Sequence, residues 1–267
     1  MKSNIHSVVY PNAKINIGLR VLERRPDGFH NLESLFYPID VCDTLEIIGA
    51  DEFKMVQYGI TYPGDPNDNI CVKAYNLLNK EFNLAPVEIH LYKRVPVGAG
   101  LGGGSSDAAF TLITLNNLFN LNLSVKQIAD YAAQLGSDCP FFVYNTPMLG
   151  EGRGELLSPV TVPALDGYEI RMVFPPVFVS TVDAYRGIIP QNIREQNGEK
   201  IDKTPLVELL QLPVEQWKDL IVNDFETTVF AKYPELIAYK EQLYRDGAIY
   251  ASMSGSGSAM FGLFSKK

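Results

Sequence analysis

The chain has 267 residues, enough for one large domain or two modest ones, and 46% of them are hydrophobic while 20% are charged. This balance excludes a disordered chain and a collagen. The formal net charge of -8 repels a phosphodiester backbone, so we expect no nucleic-acid partner, and any bound phosphate must be held locally.

The cysteines and the lack of long apolar segments indicate the cellular compartment in which the protein is expected. Cys42, Cys71 and Cys139 are far apart, odd in number and without metal-ligand spacing, which favours a reduced, cytoplasmic protein. The first residues lack the apolar run of a signal peptide, and no stretch of about 18 apolar residues indicates a membrane span. We expect no membrane partner, and a monomer or weak homodimer.

The first predicted element is a strand over residues 13–21, where apolar and polar side chains alternate. This alternation indicates a half-buried strand, with Lys14 and Asn16 projecting from its polar face. A turn follows, and then a loop that carries Phe29 and His30.

Periodicity and capping residues predict the rest of the first half. The elements are a strand at 42–48, a helix at 69–82, a strand at 87–91, a helix from a Ser105-Ser106-Asp107 cap to about Phe119, and a helix at 124–135.

Prolines and glycines between residues 158 and 167 predict a boundary that divides the chain into 1–160 and 161–267. The elements predicted beyond it are strands at 169–174 and 177–179, a surface loop at 191–203, a helix that begins at Thr204-Pro205, a helix at 234–246, and strands at 248–252 and 259–264 joined by a turn. Strands and helices mix irregularly, which favours an α+β fold over a doubly wound α/β fold.

The strongest motif is the segment at 96–107, in which five of the seven residues from 98 to 104 are glycine. Glycines allow positive φ and let backbone N–H groups approach a ligand. In front of a helix, these N–H groups and the helix dipole form an anion site. The segment therefore predicts a phosphate-binding loop, whose Ser105 and Ser106 donate to phosphate oxygens or join a magnesium shell.

Two better-known phosphate-binding motifs do not fit this segment. Gly98, Gly100 and Gly103 have the spacing of a dinucleotide fingerprint, but no acid follows about 20 residues on, and the preceding strand alternates. A Walker A loop needs Lys and Ser or Thr where Gly104 and Ser105 stand. A flexible linker is the alternative to an ordered loop.

Three further features are candidates for the same site. The loop has no lysine, so Lys14 is the leading source of a cation, and a solvated strand lysine is the alternative. Asp138 lies between a helix stop and Pro140-Phe141-Phe142, which predicts a partly buried carboxylate that is either catalytic or an N-cap. The small-residue loop at 254–258 is either close to a ligand or to another backbone segment, or it is a plain hairpin turn.

Three of these segments resemble, in order and spacing, the three signature motifs of the GHMP kinases. They are residues 11–16, 96–107 and 254–258. Residues 25–30, 136–142 and 151–155 resemble the branch of that superfamily that phosphorylates the 2-hydroxyl of cytidine-diphosphate-linked methylerythritol, on the non-mevalonate route to isopentenyl diphosphate.

This resemblance implies a two-domain α+β enzyme with its active site in the cleft between the domains. A ribosomal protein S5-like nucleotide-binding domain is expected at 1–160 and a smaller ferredoxin-like domain at 161–267. The implied activity is that of an ATP-dependent kinase, with ATP as co-substrate, Mg²⁺ as cofactor and a cytidine diphosphate derivative as the small-molecule partner.

By their positions in the motifs, Lys14 and Asp138 match the catalytic pair of the family. The implied ATP-binding residues are Pro96, Val97, Gly98, Ala99, Gly100, Leu101, Gly102, Gly103, Gly104, Ser105 and Ser106.

The implied substrate-binding residues are Asn16, Phe29, His30 and Tyr185. His30 matches the residue that hydrogen-bonds the cytosine, and Phe29 and Tyr185 match the two rings that stack on it. Phe29 replaces a common Tyr, and Cys139 stands where family members often have Val; neither departure removes chemistry.

Three alternatives remain open from the sequence. They are a GHMP kinase for another small alcohol such as homoserine, a nicotinamide-dependent reductase, and a non-catalytic nucleotide-binding protein.

Overall fold

A computed structural model describes residues 5–60, 65 and 68–266. Its strands are β1 (His6–Val9), β2 (Asn12–Arg24), β3 (His30–Cys42), β4 (Thr44–Gly49), β5 (Lys54–Gly59), β6 (Val87–Lys93), β7 (Met148–Gly152), β8 (Leu156–Pro159), β9 (Tyr168–Val173), β10 (Tyr250–Met253) and β11 (Met260–Ser265). Its helices are α1 (Ile70–Phe82), α2 (Gly103–Leu118), α3 (Val125–Ala133), α4 (Cys139–Tyr144), α5 (Thr181–Tyr185), α6 (Gln191–Gln196), α7 (Leu206–Leu209), α8 (Trp217–Leu220), α9 (Phe225–Lys232) and α10 (Glu235–Arg245). No helix within these ranges has the length and apolar composition to cross a membrane.

The chain forms two compact units, and each is assembled from three segments. The first unit consists of Met1–Lys14, Pro38–Val97 and Gly102–Thr146, and the second of Ile15–Tyr37, Gly98–Leu101 and Pro147–Lys267. The chain thus passes between units within β2 and again within the glycine-rich loop. The predicted division at residue 160 stays a prediction.

The first unit is built on a four-stranded sheet in the order β1-β4-β6-β5, covered by helices. β4 pairs antiparallel with β1 and β6, and β5 runs parallel to β6. The apolar side chains of β4 and β6 point into one core, with Leu45 opposite Leu91 and Ile47 opposite Ile89. The α1, α2 and α3 helices close this core, because their apolar residues belong to the same buried cluster.

The second unit contains a three-stranded antiparallel sheet in the order β10-β11-β9. Helices α9 and α10 bury their apolar faces in the same cluster as residues of this sheet, including Phe225, Leu243 and Met260. Another sheet, in the order β2-β3-β7-β8, brings Leu35 of β3 opposite Leu149 of β7. The strands and helices of both units confirm the α+β class.

The strand β2 differs from its prediction, because it is buried on both faces from Ala13 to Val21. Its polar side chains find partners inside the protein: Arg20 Nη1 donates to Glu33 Oε2 at 3.2 Å and to the carbonyl of Thr204 at 2.7 Å. Apolar alternation correctly placed the strand but wrongly assigned its polar face to solvent.

Other boundaries also differ from those predicted. The strand expected at 42–48 is divided between the end of β3 and β4, and His30 is the first residue of β3 rather than part of a loop. β3 escaped prediction because it has no regular alternation and contains Pro38, which argues against a strand. The helix α2 begins at Gly103 and is capped by Gly102, so Ser105-Ser106-Asp107 lies inside it.

In the second half, residues 177–179 form no strand, and α6 occupies part of the predicted loop at 191–203. The helix expected from Thr204-Pro205 begins one residue later, as α7, with Pro205 as its N-cap. The predictions for α1, α3, β6, β9, α10, β10 and β11 are confirmed within two residues at each boundary. Strands β1, β5, β7 and β8 were not predicted.

Candidate active site

Lys14 lies on β2, in the first unit, with its amino group facing a carboxylate. Its side chain is 5% exposed, and its Nζ lies 3.6 Å from Asp138 Oδ2. Burial lowers the pKa of Lys14, because desolvation disfavours the charged amine, while the Asp138 carboxylate opposes this shift. The alternative of a solvated strand lysine is therefore wrong.

Asp138 is positioned by the short helix α4, whose N-cap it occupies. Its carboxylate makes no capping hydrogen bond to that helix. The side chain is 34% exposed, so the carboxylate both pairs with Lys14 and reaches solvent. The partly buried carboxylate that the sequence predicts is confirmed, and the capping position leaves that carboxylate available for other contacts.

Gly102 brings the glycine-rich loop against the same pair. It has φ 69°, in the left-handed region, and it is the N-cap of α2. A Cβ here would lie 2.8 Å from Cζ of Phe142 and 3.3 Å from Cε of Lys14. The position therefore requires glycine for its φ and for the close approach of the Lys14 side chain.

The first turn of α2 has the features of an anion site. The first N–H groups of a helix have no partner within it, and the positive end of the helix dipole lies there. Gly104 is exposed, and a Cβ at this position would meet no atom of the described chain within 4 Å. Ser106 is buried, and its Oγ has no hydrogen-bond partner among the described residues.

The first half of the loop, Gly98–Leu101, belongs to the second unit and is held there by neutral hydrogen bonds. Ser254 Oγ donates to the carbonyl of Gly100 at 2.9 Å, and Ala259 N donates to the carbonyl of Ala99 at 3.2 Å. A Cβ at Gly100 would collide with the Ser254 carbonyl oxygen. These contacts give the segment a defined conformation, and they place the third predicted motif directly against the second.

The remaining residues of the predicted ATP-binding loop differ in their exposure to solvent. Pro96 is half-buried and Val97 is exposed, both at the end of a first-unit segment. Ala99 and Leu101 are buried in the second unit, where they anchor the loop.

Asn16, in the second unit, is buried in a hydrogen-bonded chain. Its backbone N–H donates to Ser254 Oγ at 3.2 Å, and its Nδ2 donates to Ser34 Oγ at 2.8 Å. Ser34 Oγ in turn donates to the carbonyl of Gly18 at 2.6 Å. The predicted substrate residue therefore also links the first and third motifs.

Three buried charged residues form a cluster near the start of α2, and this cluster was not predicted from the sequence. Lys93 Nζ donates to Asp43 Oδ2 and, at 2.6 Å, to Asp107 Oδ2. Burial and the Asp43 charge raise the pKa of Asp107 to about 8, against the effect of Lys93. Although burial opposes it, the two carboxylates raise the pKa of Lys93.

The alternation of β6 contained a signal for this cluster. Val87, Ile89 and Leu91 point into the core, and Lys93 continues the same face by the two-residue period of a strand. A lysine on a buried face needs acidic partners, because an unpaired buried charge is strongly disfavoured. The two acids were not identifiable, since nothing in the sequence pairs them with Lys93.

The predicted base-binding residues lie in the second unit. The rings of His30 and Tyr185 stack on each other, with their centroids 5.0 Å apart and an interplanar angle of 20°. Burial and the Arg24 charge lower the pKa of His30, which favours the neutral imidazole. The structure therefore brings these two predicted residues into direct contact.

Phe29 is 54% exposed and is supported from one side by a cation. The guanidinium of Arg153 lies 4.9 Å from the ring centroid, within the range of a cation–π contact. The main chain of Phe29 is fixed by Arg25 N, which donates to its carbonyl at 2.8 Å, and by Asp27 Oδ1, which accepts from its N–H at 3.1 Å. Arg153 belongs to a motif quoted from the sequence, but no role was predicted for it.

Two family models match the chain: the GHMP kinases N terminal domain over residues 69–146, and the GHMP kinases C terminal model over residues 206–267. The fold is thus that of a GHMP kinase, an ATP-dependent small-molecule kinase with ATP as its co-substrate.

Relatives narrow this class. A 4-diphosphocytidyl-2-C-methyl-D-erythritol kinase of Bacteroides thetaiotaomicron is 51% identical over 261 residues, which cover 96% of this chain and 92% of the relative. A crystal structure of 4-(cytidine 5'-diphospho)-2C-methyl-D-erythritol kinase, 31% identical, aligns with a TM-score of 0.81 over 96% of this chain and 90% of that one. The chain belongs to the 4-diphosphocytidyl-2-C-methyl-D-erythritol kinase family.

Homoserine kinase from Cytophaga hutchinsonii shares the fold, with a TM-score of 0.60, but only 19% of aligned residues are identical; the match covers 100% of this chain and 87% of that one. Family membership therefore favours the cytidyl-substrate kinase over the homoserine-type kinase, the reductase and the non-catalytic nucleotide-binding protein that the sequence left open.

Proposed function

We propose that this protein transfers the γ-phosphoryl group of ATP to the 2-hydroxyl of 4-diphosphocytidyl-2-C-methyl-D-erythritol, forming the 2-phosphate and ADP. The observation that carries the proposal is the Lys14–Asp138 pair beside Gly102, at the anion-binding start of α2. Phosphoryl transfer asks the protein mainly for positioning and for charge stabilisation, and this arrangement supplies both.

In this proposal Asp138 accepts the proton of the substrate hydroxyl or orients that hydroxyl in line with the γ-phosphorus. Its exposed fraction leaves room for such a contact, and the absence of a capping bond leaves its oxygens available. Lys14 faces the Asp138 carboxylate and offsets negative charge on the transferring group. Because Lys14 is buried, its charge is poorly screened by water and acts strongly on its neighbours.

The phosphates of ATP are bound by backbone N–H groups of the loop at 98–104 and of the first turn of α2. The side chains of Ser105 and Ser106 extend this donor set, since Ser106 Oγ has no hydrogen-bond partner among the described residues. An acidic chain with a net charge of -8 thereby holds a polyanion through local backbone dipoles.

We propose that Mg²⁺ binds together with ATP, on its phosphates. The described residues contain no group of three or more His, Cys, Asp or Glu side chains that could hold a metal. This fits Mg²⁺ that arrives on the nucleotide, because Mg²⁺ keeps several waters and binds substrate phosphates with few protein ligands. The Ser105 and Ser106 hydroxyls would be its candidate protein ligands, since Ser106 Oγ has no hydrogen-bond partner among the described residues, and the ion would neutralise phosphate charge.

The cytosine ring is recognised in this proposal by Phe29, His30 and Tyr185. The 5.0 Å separation of the His30 and Tyr185 rings leaves no space for a base between them, so the base lies beside this stacked pair. The exposed Phe29 ring then offers an aromatic surface for the base.

The proposal is tested by measuring ADP release with ATP, Mg²⁺ and the cytidyl substrate, beside the same assay with homoserine and with no acceptor. We expect turnover only with the cytidyl substrate. Equal turnover with homoserine would contradict the assigned substrate, and ATP binding without turnover on any alcohol would indicate a non-catalytic nucleotide-binding protein.

Base recognition has its own test in His30→Ala. Loss of one hydrogen bond to the cytosine raises the KM for the cytidyl substrate about tenfold and weakens discrimination against the uridyl analogue. The KM for ATP is the internal control and stays unchanged. Discrimination equal to that of the wild type would exclude His30 from base recognition.

A further inference from the structure

Phe178, which no motif singled out, is an exposed aromatic residue in contact with the nucleotide loop. Its side chain is 70% exposed. A Cβ on Gly98 would lie 2.6 Å from Phe178 Cε2 and 3.3 Å from Cδ2, so the edge of the ring lies directly against the Gly98 backbone. Gly98 has φ 69°, and only glycine admits both this φ and this contact.

The backbone on both sides of Phe178 is anchored, so the outward direction of the ring is imposed by the fold. Val179 is buried in the core of the second unit, and Val177 packs against the same core. Ser258 Oγ donates to the carbonyl of Val177, and Thr181 Oγ1 lies 3.4 Å from Ser256 Oγ. The segment is thus fastened to the same serine-rich loop that braces Gly100.

An isolated exposed apolar side chain is common and needs no explanation. Phe178 differs because its ring is held beside the start of an anion-binding loop, where a bound nucleotide must place its less polar part next to the phosphates. Base or ribose contact with an aromatic ring is favourable for any base, since every base has a π-face.

We propose that Phe178 is a further nucleotide-contacting residue, whose ring packs against the base or ribose of ATP bound at the loop segment Gly98–Leu101. The inference rests on the proposed ATP-binding role of that loop. All the contacts that support it, those of Gly98, Val177, Val179 and Ser258, lie within the second unit.

The test measures nucleotide affinity without any acceptor substrate. Phe178→Ala raises the Kd for ADP about tenfold, which corresponds to about 1.4 kcal/mol of lost stacking, and Phe178→Tyr restores the wild-type Kd. Phe178→Leu keeps most of the side-chain volume but has no π-face, so its Kd for ADP stays raised. Phe174→Ala removes another exposed phenylalanine four residues earlier and is the matched control, expected to leave the Kd unchanged.

A direct signal is available because the chain has one tryptophan, Trp217, which is fully buried. In Phe178→Trp, ADP changes the fluorescence of the new exposed tryptophan, and CDP does not. No response to ADP, or a wild-type Kd in Phe178→Ala, would overturn the proposal; a response to CDP alone would assign the ring to the acceptor substrate instead. ADP binding that depends on Phe178 in a protein without turnover would uphold this inference and refute only the proposed function.

Discussion

Two buried lysines of the first unit, Lys14 and Lys93, differ in how they are paired. Lys93 lies between Asp43 and Asp107, all three are almost inaccessible to water, and its pKa is raised. Lys14 has the carboxylate of Asp138 at 3.6 Å, that carboxylate is partly exposed, and the pKa of Lys14 is lowered.

The difference distinguishes an amine enclosed by two buried acids from an amine that faces a partly exposed acid. A buried amine with short hydrogen bonds to two carboxylates is satisfied, so it fixes the chain around it and has no capacity for a ligand. The Lys14 amine faces a partly exposed carboxylate at a longer distance and has a lowered pKa, and perturbed pKa values of this kind are common at functional sites. The sequence alone shows two strand lysines, and the different exposure of their acidic partners supports the role proposed for Lys14.

Asp138→Asn gives the largest expected effect. The amide keeps the shape of the side chain but cannot accept a proton, so kcat falls by about 10²–10⁴-fold, while the Kd for ADP changes little. Steady-state kinetics and a thermal melt check this together. A variant with near wild-type kcat would remove Asp138 from the mechanism and leave Lys14 without a catalytic partner.

Lys93→Met and Lys14→Met should have very different effects on stability. Removing Lys93 leaves the buried Asp43 and Asp107 carboxyl groups without their cation and lowers the free energy of unfolding by about 3–5 kcal/mol. Removing Lys14 leaves Asp138 partly exposed, where water can solvate its carboxylate, so the loss of stability is smaller than in Lys93→Met. Urea unfolding of both variants, alike in residue change, compares them directly. Similar losses would contradict the distinction between the two lysines.

The lowered pKa of Lys14 predicts an alkaline limb in the rate profile. Catalysis needs the protonated amine, so kcat/KM falls as pH rises through the lowered pKa, before an ordinary lysine with a pKa near 10.5 would titrate. Lys14→Arg, which stays charged, moves that limb to higher pH whatever its overall rate. An identical limb in both proteins would assign it to another group; circular dichroism over the same range controls for unfolding.

Asp107→Asn gives the smallest expected effect at neutral pH. With its pKa raised to about 8, the Asp107 carboxyl is largely protonated at pH 7, and an amide is a close substitute for it. The folded-state pKa lies above the unfolded value, so the native state of the wild type holds the extra proton and loses stability as pH rises toward about 8.

Asp107→Asn cannot bind the proton that the Asp107 carboxyl holds, so its stability does not fall in this way as pH rises toward about 8. Urea midpoints of both proteins at pH 6, 7 and 8 measure the difference, with Asp130→Asn, at an exposed helix position, as the control. A parallel pH dependence in wild type and Asp107→Asn would show that Asp107 is ionised throughout, and that Lys93 balances two full charges.

Local sequence pattern predicted much of the scaffold. The caps of α1 and α3, where Asn69 accepts from Cys71 N and Ser124 forms a capping box with Gln127, are visible in the sequence and are present in the structure. β3 was missed because Pro38 and irregular burial hide a strand that is stabilised by its neighbours in the sheet.

The candidate site was predictable only through motifs. Lys14 and Asp138 lie far apart in the chain, and nothing local to either indicates that they meet; their pairing followed from the resemblance to known kinases. Contacts that no motif predicts, such as Arg153 over Phe29 and Phe178 against Gly98, depend on tertiary packing and required the structure.

The open space over Gly104 makes that position suitable for chemical labelling. A cysteine introduced there meets no steric obstacle in the described chain, and thiols at helix N-termini are acidified and reactive. The native Cys139 is buried, and burial raises its pKa to about 11, so it competes poorly for an alkylating reagent. The rate at which Gly104→Cys is alkylated, and the decrease of that rate when ATP is added, would measure the accessibility of the anion site in solution.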